Sequence, residues 1–249
     1  MKRLMPRKAV HQSRASYGVD APGFLLIAAA ASAAYVIWAI ASHKVGSIVG
    51  ATMLLSCVGF SLHTSLRGKF IVWDELLERL KLRGDERILD LGCGRGAVLL
   101  LAAKRLSTGR AFGVDIWSRK DQSGNSPNAT RSNAQLEGVQ TRVELVTGDA
   151  TSLPFQSNTF DLIVSNVAIH NIKGQLARRN AIDEAVRVLR PGGRIILADL
   201  KNTGAYAARL ETLGMMDVKR RGLGWRMWWG GPWVPTRLVA ATKLTEAER

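Results

Sequence analysis

The 249-residue sequence contains only two cysteines, Cys57 and Cys93, and four histidines. One cysteine lies in an apolar stretch and the other in a glycine-rich turn, so a disulfide framework is excluded and a reducing compartment is indicated. No group of histidines and cysteines has the spacing of metal ligands, and we expect no metal site.

Acidic residues are also scarce. The chain has 20 aspartates and glutamates against 35 lysines and arginines, which gives a formal net charge of +15. A charge of this size describes the partners of a protein and not its fold, and it fits either nucleic acid or an anionic membrane surface. The length and the 47% hydrophobic content allow one large domain with an appendage.

Lysine, arginine, aspartate and glutamate are missing from residues 23–42 and 45–64, with only His43 and Lys44 between them. Each run is about 20 residues long, which is enough for a helix to cross a hydrocarbon core. The pattern predicts a tight transmembrane hairpin. A signal peptide, two buried helices of a soluble protein, and a hairpin lying in one leaflet remain as alternatives.

Basic residues predict the orientation of this hairpin. Those of the amino-terminal flank are Lys2, Arg3, Arg7, Lys8 and Arg14. The downstream flank contributes Arg67 and Lys69. By the positive-inside rule, both ends of the hairpin and the domain that follows lie in the cytoplasm.

Residues 70–82 have apolar side chains at helical spacing, which predicts an amphipathic helix. It serves either as a lead-in packed on the next domain, or as an interfacial helix or lid. The predicted organisation is a basic cytoplasmic tail (1–22), a transmembrane hairpin (23–64), an amphipathic connector (65–84) and a soluble domain (85–249).

The soluble domain begins with Ile-Leu-Asp-Leu-Gly-Cys-Gly-Arg-Gly at residues 88–96. A buried strand, a glycine turn and a helix follow one another there, an arrangement that brings backbone N–H groups close to a ligand. Asp115, at the end of the next predicted strand, suits a ribose diol. The motif fits both a dinucleotide and S-adenosylmethionine (SAM).

Later blocks separate these two cofactors. They are Gly-Asp-Ala at 148–150, Leu-Pro-Phe at 153–155, Phe-Asp-Leu-Ile at 160–163 and Arg-Pro-Gly-Gly at 190–193. Together with the glycine motif they resemble class I SAM-dependent methyltransferases, most closely the type 11 group that includes quinone-biosynthesis C-methyltransferases. The resemblance covers the soluble domain and not the hairpin.

The alternation of strands and helices predicts an α/β fold with a parallel sheet covered on both faces. Within it, a turn is expected at residues 191–193, and a sixth strand is expected to begin at Val218. The resemblance makes this a Rossmann-like, doubly wound, mostly parallel seven-stranded sheet, preceded by two transmembrane helices. It also implies SAM as the cofactor. The implied cofactor-binding residues are Asp90, Gly92, Gly94, Gly96, Asp115, Ile116, Asp149, Ala150 and Asn166.

The resemblance implies a role for most of these residues. The three glycines face the amino-acid part of SAM, and Asp90 holds its ammonium group. Asp115 accepts from both ribose hydroxyls, since two acceptor oxygens suit a vicinal diol. Ile116 or the residue after it covers the adenine face, and Asp149 and Ala150 contact the adenine edge.

His170 follows the fourth predicted strand, at the sheet edge where α/β folds bind ligands. It titrates near neutrality and is the predicted catalytic residue, either as a general base or as an acceptor ligand. A histidine that only hydrogen-bonds the cofactor or the loop is the alternative. The polar loop at 121–127 either closes over the pocket, orients the acceptor, or is a solvated surface loop.

Four of the seven tryptophans lie within residues 225–233, near Arg226 and other basic residues. This composition is typical of a membrane–water interface. The segment is expected to dock on the bilayer, to wall an apolar acceptor pocket, or to pack back on the sheet.

These features predict a membrane-anchored SAM-dependent methyltransferase that acts on a lipid, a quinone-like molecule or another small hydrophobic acceptor. A protein or nucleic-acid methyltransferase, and a non-catalytic SAM-binding membrane protein, are the alternatives. Nucleic acid is not the expected partner, because the basic residues cluster where a membrane accounts for them. Two cysteines also argue against arsenite methylation, which relies on several thiols.

Overall fold

The computed structural model describes residues 15–42 and 45–245. The predicted basic tail before residue 15 and the hairpin turn at His43 and Lys44 lie outside the described residues. The helices are α1 (Pro22–Ser42), α2 (Val45–His63), α3 (Lys69–Arg79), α4 (Ala97–Ala103), α5 (Pro127–Leu136), α6 (Gln175–Val188) and α7 (Thr203–Thr212). The strands are β1 (Arg87–Leu91), β2 (Arg110–Asp115), β3 (Val143–Thr147), β4 (Phe160–Asn166), β5 (Leu189–Asp199), β6 (Met215–Gly222) and β7 (Arg237–Lys243).

The seven strands form one sheet in the order β3-β2-β1-β4-β5-β7-β6. Strands β1 to β5 are parallel, whereas β7 runs antiparallel to both β5 and β6. This confirms the predicted mostly parallel, seven-stranded α/β fold. The strand order reverses between β1 and β4, and ligands of open α/β sheets bind at such a switch point.

Two local predictions differ from the structure. The expected turn at 191–193 lies inside β5, because Leu189 already pairs with Phe160 before the regular register resumes at Arg194. The intervening residues bulge from the ladder instead of reversing the chain. Strand β6 begins at Met215, three residues before the predicted Val218, and it contains a bulge of its own.

Helices cover both faces of the sheet with apolar side chains. On one face, α3 and α4 bury Trp73, Leu77 and Leu100; on the other, α6 and α7 bury Ile182 and Leu210. Burying each large apolar side chain stabilises the fold by about 1.5–3 kcal/mol. Helix α3 therefore packs on the domain, as in the lead-in interpretation of the connector.

The two apolar helices α1 and α2 pack against each other but cover little of their own surface. By length and composition, α1 and the helical run from Val45 to Arg79 could each cross a membrane. Only 17% of the most apolar stretch of each is buried. Large apolar side chains such as Ile27, Trp38 and Val49 are exposed. The core helices of a soluble protein would instead be mostly buried.

A π-helical turn, Thr64–Gly68, joins α2 to α3 and receives the tryptophan-rich segment. Thr64 Oγ1 donates to the Trp228 carbonyl at 2.6 Å, and Arg226 makes a bidentate ion pair with Glu75. The carbonyl oxygen of Arg226 would lie 1.8 Å from a Cβ atom added at Gly68. This close approach requires glycine at the junction.

Aromatic stacking extends the same contact onto the end of α2. Trp225 stacks on His63 with ring centroids 5.0 Å apart, and Trp228 meets Phe60 edge-on at 5.6 Å. The tryptophan-rich segment therefore packs on the base of the hairpin, a position outside the three expected roles, and its docking on a bilayer stays a prediction.

Gly68→Ala is expected to lower the free energy of unfolding by about 1–3 kcal/mol, because the added methyl group must displace the Arg226 backbone. The measurement is thermal unfolding in detergent, followed by tryptophan fluorescence. Gly59→Ala is the matched control on the preceding helix, since a Cβ atom there meets nothing within 4 Å. Equal midpoints for the two variants would contradict the tight junction.

Candidate cofactor-binding site

The glycine turn at the end of β1 places backbone N–H groups beside a cavity. Gly92 has a φ of +71° and its N–H donates to the Val114 carbonyl at 2.8 Å. A Cβ atom at Gly92 would lie 2.2 Å from the Cβ atom of Ala168. Only glycine permits both the positive φ and this close approach.

The cavity lies at the carboxyl ends of β1, β2 and β4, at the switch point of the sheet. It holds about 1010 Å³ of space, its open mouth included. Eight of the ten predicted site residues line it: Asp90, Gly92, Gly94, Asp115, Ile116, Asp149, Ala150 and Asn166.

Two predicted site residues, Gly96 and His170, are not among the described residues that line the cavity. Gly96 precedes α4 with a φ of +88°, and an added Cβ atom would lie 3.0 Å from Leu100 and Thr130. Gly96 therefore lets the turn pack closely against α4 and α5.

Asp90 is a buried residue whose carboxyl group lies at the cavity wall. Its side chain is 1% exposed, and its Oδ1 atom has no hydrogen-bond donor among the described residues. Burial, with a smaller contribution from the nearby charge of Asp115, raises the pKa of Asp90 to about 8. A cationic group in the cavity would favour the charged form, so the residue fits the ammonium group of SAM.

Asp115 organises the loop that follows β2. Its carboxylate accepts from the Gly94 N–H at 2.8 Å, the Trp117 N–H at 2.5 Å and the Asn125 side-chain amide at 3.2 Å. Burial raises the pKa of Asp115, although these hydrogen bonds oppose the shift. Asp115 thus ties the loop to the glycine turn and keeps its carboxylate at the cavity wall.

The remaining predicted residues are held by local contacts. Ile116 lines the cavity, whereas Trp117 donates from its indole to Thr147 at 2.8 Å. Of the two candidates for the adenine face, Ile116 is therefore the one at the cavity. Asp149 caps a turn by accepting from the Thr151 N–H at 2.8 Å.

Asn166 connects the cavity to the covering helix. Its side-chain oxygen accepts from the indole N–H of the fully buried Trp73 at 2.8 Å. This contact fixes the orientation of the Asn166 amide and ties α3 to the carboxyl end of β4.

His170 contacts Asp199 and does not line the cavity. Its Nδ1 atom lies 2.6 Å from Asp199 Oδ1, and its backbone N–H donates to Asp199 Oδ2 at 2.9 Å. Tyr206 also donates to Asp199 at 3.2 Å. The neighbours Ile169 and Asn171 do line the cavity, so the catalytic role of His170 stays a prediction.

Sequence reasoning missed the contribution of the segment before α1. Residues 15–21, named here the strap, lie along the loop after β2. Ala21 N–H donates to the Asp121 carbonyl at 2.8 Å, and Ser123 N–H donates to the Val19 carbonyl at 3.0 Å. The polar loop is therefore covered by the strap and is not a solvated surface loop.

Asp20 of the strap and Lys69 of α3 both line the cavity, as does Gln122 of the covered loop. Gln122 accepts from the Arg95 N–H at 2.8 Å and donates to Asp20 at 3.0 Å. One signal in the sequence was available, since Asp20 is the only acidic residue in the first 73 positions.

The raised pKa of Asp90 predicts a pH-dependent affinity for S-adenosylhomocysteine (SAH), the demethylated form of SAM. Pairing with an ammonium group requires Asp90 to lose its proton, so the affinity should rise about tenfold from pH 6 to pH 7. Calorimetric titration measures this. Asp90→Asn should remove the pH dependence, and a wild-type affinity that is constant over this range would contradict the assignment.

The same pKa predicts a trend in stability without ligand. A carboxyl group whose folded pKa is raised contributes stability that is complete below about pH 4 and is lost as the pH rises through 8. The Asp90→Asn variant should lack this loss.

Comparisons with known proteins match the part of the chain that contains most of this site. Residues 89–197 match the family described as a methyltransferase domain, of the type 11 group. The chain is 32% identical over 129 residues to the ubiquinone/menaquinone biosynthesis C-methyltransferase UbiE of Ruegeria sp. (strain TM1040), covering 51% of this chain and 48% of that protein. It is also 32% identical over 131 residues to a sterol 4-C-methyltransferase of Caenorhabditis elegans, covering 53% and 36%.

The chain thus spans about half the length, or less, of these curated relatives. A crystal structure of a SAM-dependent methyltransferase from Aquifex aeolicus aligns with a TM-score of 0.53 and 19% identity, over 69% of this chain and 89% of that one. This likeness shows the fold. Residues 89–197 thus resemble the methyltransferase domain family, and the fold is shared with SAM-dependent methyltransferases of known structure.

Proposed function

We propose that the protein is anchored in a membrane by α1 and α2 and transfers a methyl group from SAM to a small hydrophobic, membrane-borne acceptor. The names of its relatives indicate quinone and sterol acceptors for those proteins. A lipid, a quinone-like molecule or a similar hydrophobic metabolite is the corresponding acceptor here.

The observation that carries the proposal is the position of the cavity at the base of the apolar hairpin. Asp20 lies two residues before α1, and Lys69 opens α3 one short turn after α2. Both side chains line the cavity that contains the glycine turn. If α1 and α2 cross a bilayer, the cavity lies at the membrane surface, where a lipid-soluble acceptor is available.

The surface near the hairpin base supports the same placement. Trp225 and Trp233 are each about half exposed; Trp225 stacks on His63 at the end of α2, and Trp233 lines a groove along α2. Tryptophan is enriched at the level of the lipid headgroups because its ring is apolar and its N–H is polar. The positive-inside rule then assigns the domain to the cytoplasmic side.

The cavity provides residues suited to several parts of the cofactor. Asp90 would hold the ammonium group, Asp115 the ribose hydroxyls, and Asp149 with Ala150 the adenine edge, while Ile116 would cover the adenine ring. When bound, SAM supplies a methyl group already activated by a positively charged sulfur.

The protein then has two tasks, to align the acceptor with the methyl group and to exclude water. The strap and the loop after β2 cover the glycine turn and serve the second task. A proton released by the acceptor requires a base. We assign it to His170, whose Nδ1 atom lies 2.6 Å from Asp199 Oδ1 and whose Nε2 atom is left to accept the proton.

Radiolabelled methyl transfer tests the proposal on the purified full-length protein. An organic extract of host membranes and an aqueous extract of host cytosol are offered separately. Asp115→Ala is the control variant and is expected to lose SAM binding. We expect label in the organic phase with the wild-type protein only, and mass spectrometry of the labelled product identifies the acceptor.

Label confined to aqueous products would contradict a membrane-borne acceptor and reduce the hairpin to a tether. Absence of label from both extracts, with SAH still bound by the protein, would favour a non-catalytic SAM-binding protein. Equal labelling by the Asp115→Ala variant would contradict the cofactor site itself.

A further inference from the structure

The cavity wall contains five aspartates, Asp20, Asp90, Asp115, Asp121 and Asp149. The cofactor that this wall is proposed to bind carries an ammonium group, hydroxyls and an amine, all of which a carboxylate can bind. It also carries one carboxylate, which none of these aspartates can hold. This group requires a cation or N–H donors.

Lys69 is the only lysine, arginine or histidine among the described residues that line the cavity. Its side chain is 2% exposed, and its ammonium group contacts Asp20 Oδ2 at 2.6 Å. An ammonium group has three N–H donors, and Asp20 is the only hydrogen-bond acceptor that the described residues give it. A buried lysine with unused donors at a cavity wall can therefore accept an anionic ligand group.

Asp20 does not need the remaining donors of Lys69. Its Oδ2 atom also accepts from the Ser65 hydroxyl at 2.7 Å, and its Oδ1 atom accepts from Gln122 at 3.0 Å. The ion pair therefore fixes the position of Lys69 while leaving part of its charge for a second anion. Desolvating such a pair costs several kcal/mol, which a purely structural contact could avoid with apolar side chains.

The position of Lys69 along the cavity also fits. Gln122, which bonds to Asp20, accepts from the Arg95 N–H inside the glycine turn at 2.8 Å. Two side chains thus connect Lys69 to the turn, and the amino-acid part of SAM is assigned to that turn. Lys69 therefore lies at the end of the cavity where the carboxylate is expected.

We infer that Lys69 binds the carboxylate of SAM, and that Asp20, which precedes the hairpin in sequence, holds Lys69 in position. The inference rests on the proposed function, because it assumes that the cavity binds SAM. It makes the two segments that flank the apolar helices part of the cofactor site, and not only parts of an anchor.

The test compares SAH with decarboxylated SAH, which keeps the ammonium group, the ribose and the adenine. Both are titrated by calorimetry into the full-length protein in detergent or lipid nanodiscs. Lys69→Met should lower the affinity for SAH about 10- to 100-fold, as expected for a lost charge-assisted hydrogen bond, and leave that for decarboxylated SAH unchanged. Lys81→Met, at an exposed lysine, is the matched control and should change neither affinity.

The comparison distinguishes the possible failures. Equal losses for both ligands would show that Lys69 acts only through the fold and would overturn the inference, as would a wild-type protein that binds both ligands equally well. If the wild-type protein binds neither ligand, the proposed function fails as well. If Lys69→Met does not fold, Lys69→Gln keeps a donor to Asp20 and is measured in the same way.

Discussion

The hydrogen-bond cluster around Asp20 connects the parts of this protein that composition would separate. Its carboxylate binds Ser65 and Lys69 after the hairpin and Gln122 of the loop after β2. Removing one partner of a buried ion pair typically costs about 3–5 kcal/mol, so this cluster strongly favours one arrangement of the two hairpin ends. The strap, the hairpin and the sheet are therefore linked at one point, which is also the wall of the cavity.

The tryptophan-rich segment places a second constraint on the hairpin base. The tryptophan-rich segment contacts the π-helical turn so closely that only glycine fits at position 68. The ion pair between Arg226 and Glu75 reinforces this contact. Because both Asp20 and this segment contact the hairpin base, the helices α1 and α2 leave the domain in a defined direction. An anchor attached in this way would also fix how the cavity faces the bilayer.

Much of the domain could be predicted because its signals are local. Buried parallel strands are short apolar runs, and the glycine turn needs its residues at fixed spacing, so the sheet and eight cavity residues follow from the sequence. The bulge at 190–193 was predicted as a turn because proline and glycine favour both. His170 follows β4 as predicted, but its side chain lies against Asp199, 29 positions later, and not at the cavity.

The position of the strap could not be predicted, because its contacts are distant in sequence. Asp20 meets Lys69 across 49 positions and Gln122 across 102, and no periodicity records such pairs. A solitary carboxylate in a basic and apolar region was the only indication. Such a charge is costly to bury without a partner, and the partner cannot be named until the fold is known.

Hydrogen exchange of the strap amides in lipid nanodiscs tests the central claim, that the hairpin flanks form part of the cofactor site. The N–H groups of Val19, Asp20 and Ala21 all donate to the domain or to the hairpin exit. The account predicts slow exchange of these three amides, and further slowing when SAH is added. Exchange at the rate of an unstructured peptide, unchanged by SAH, would contradict it.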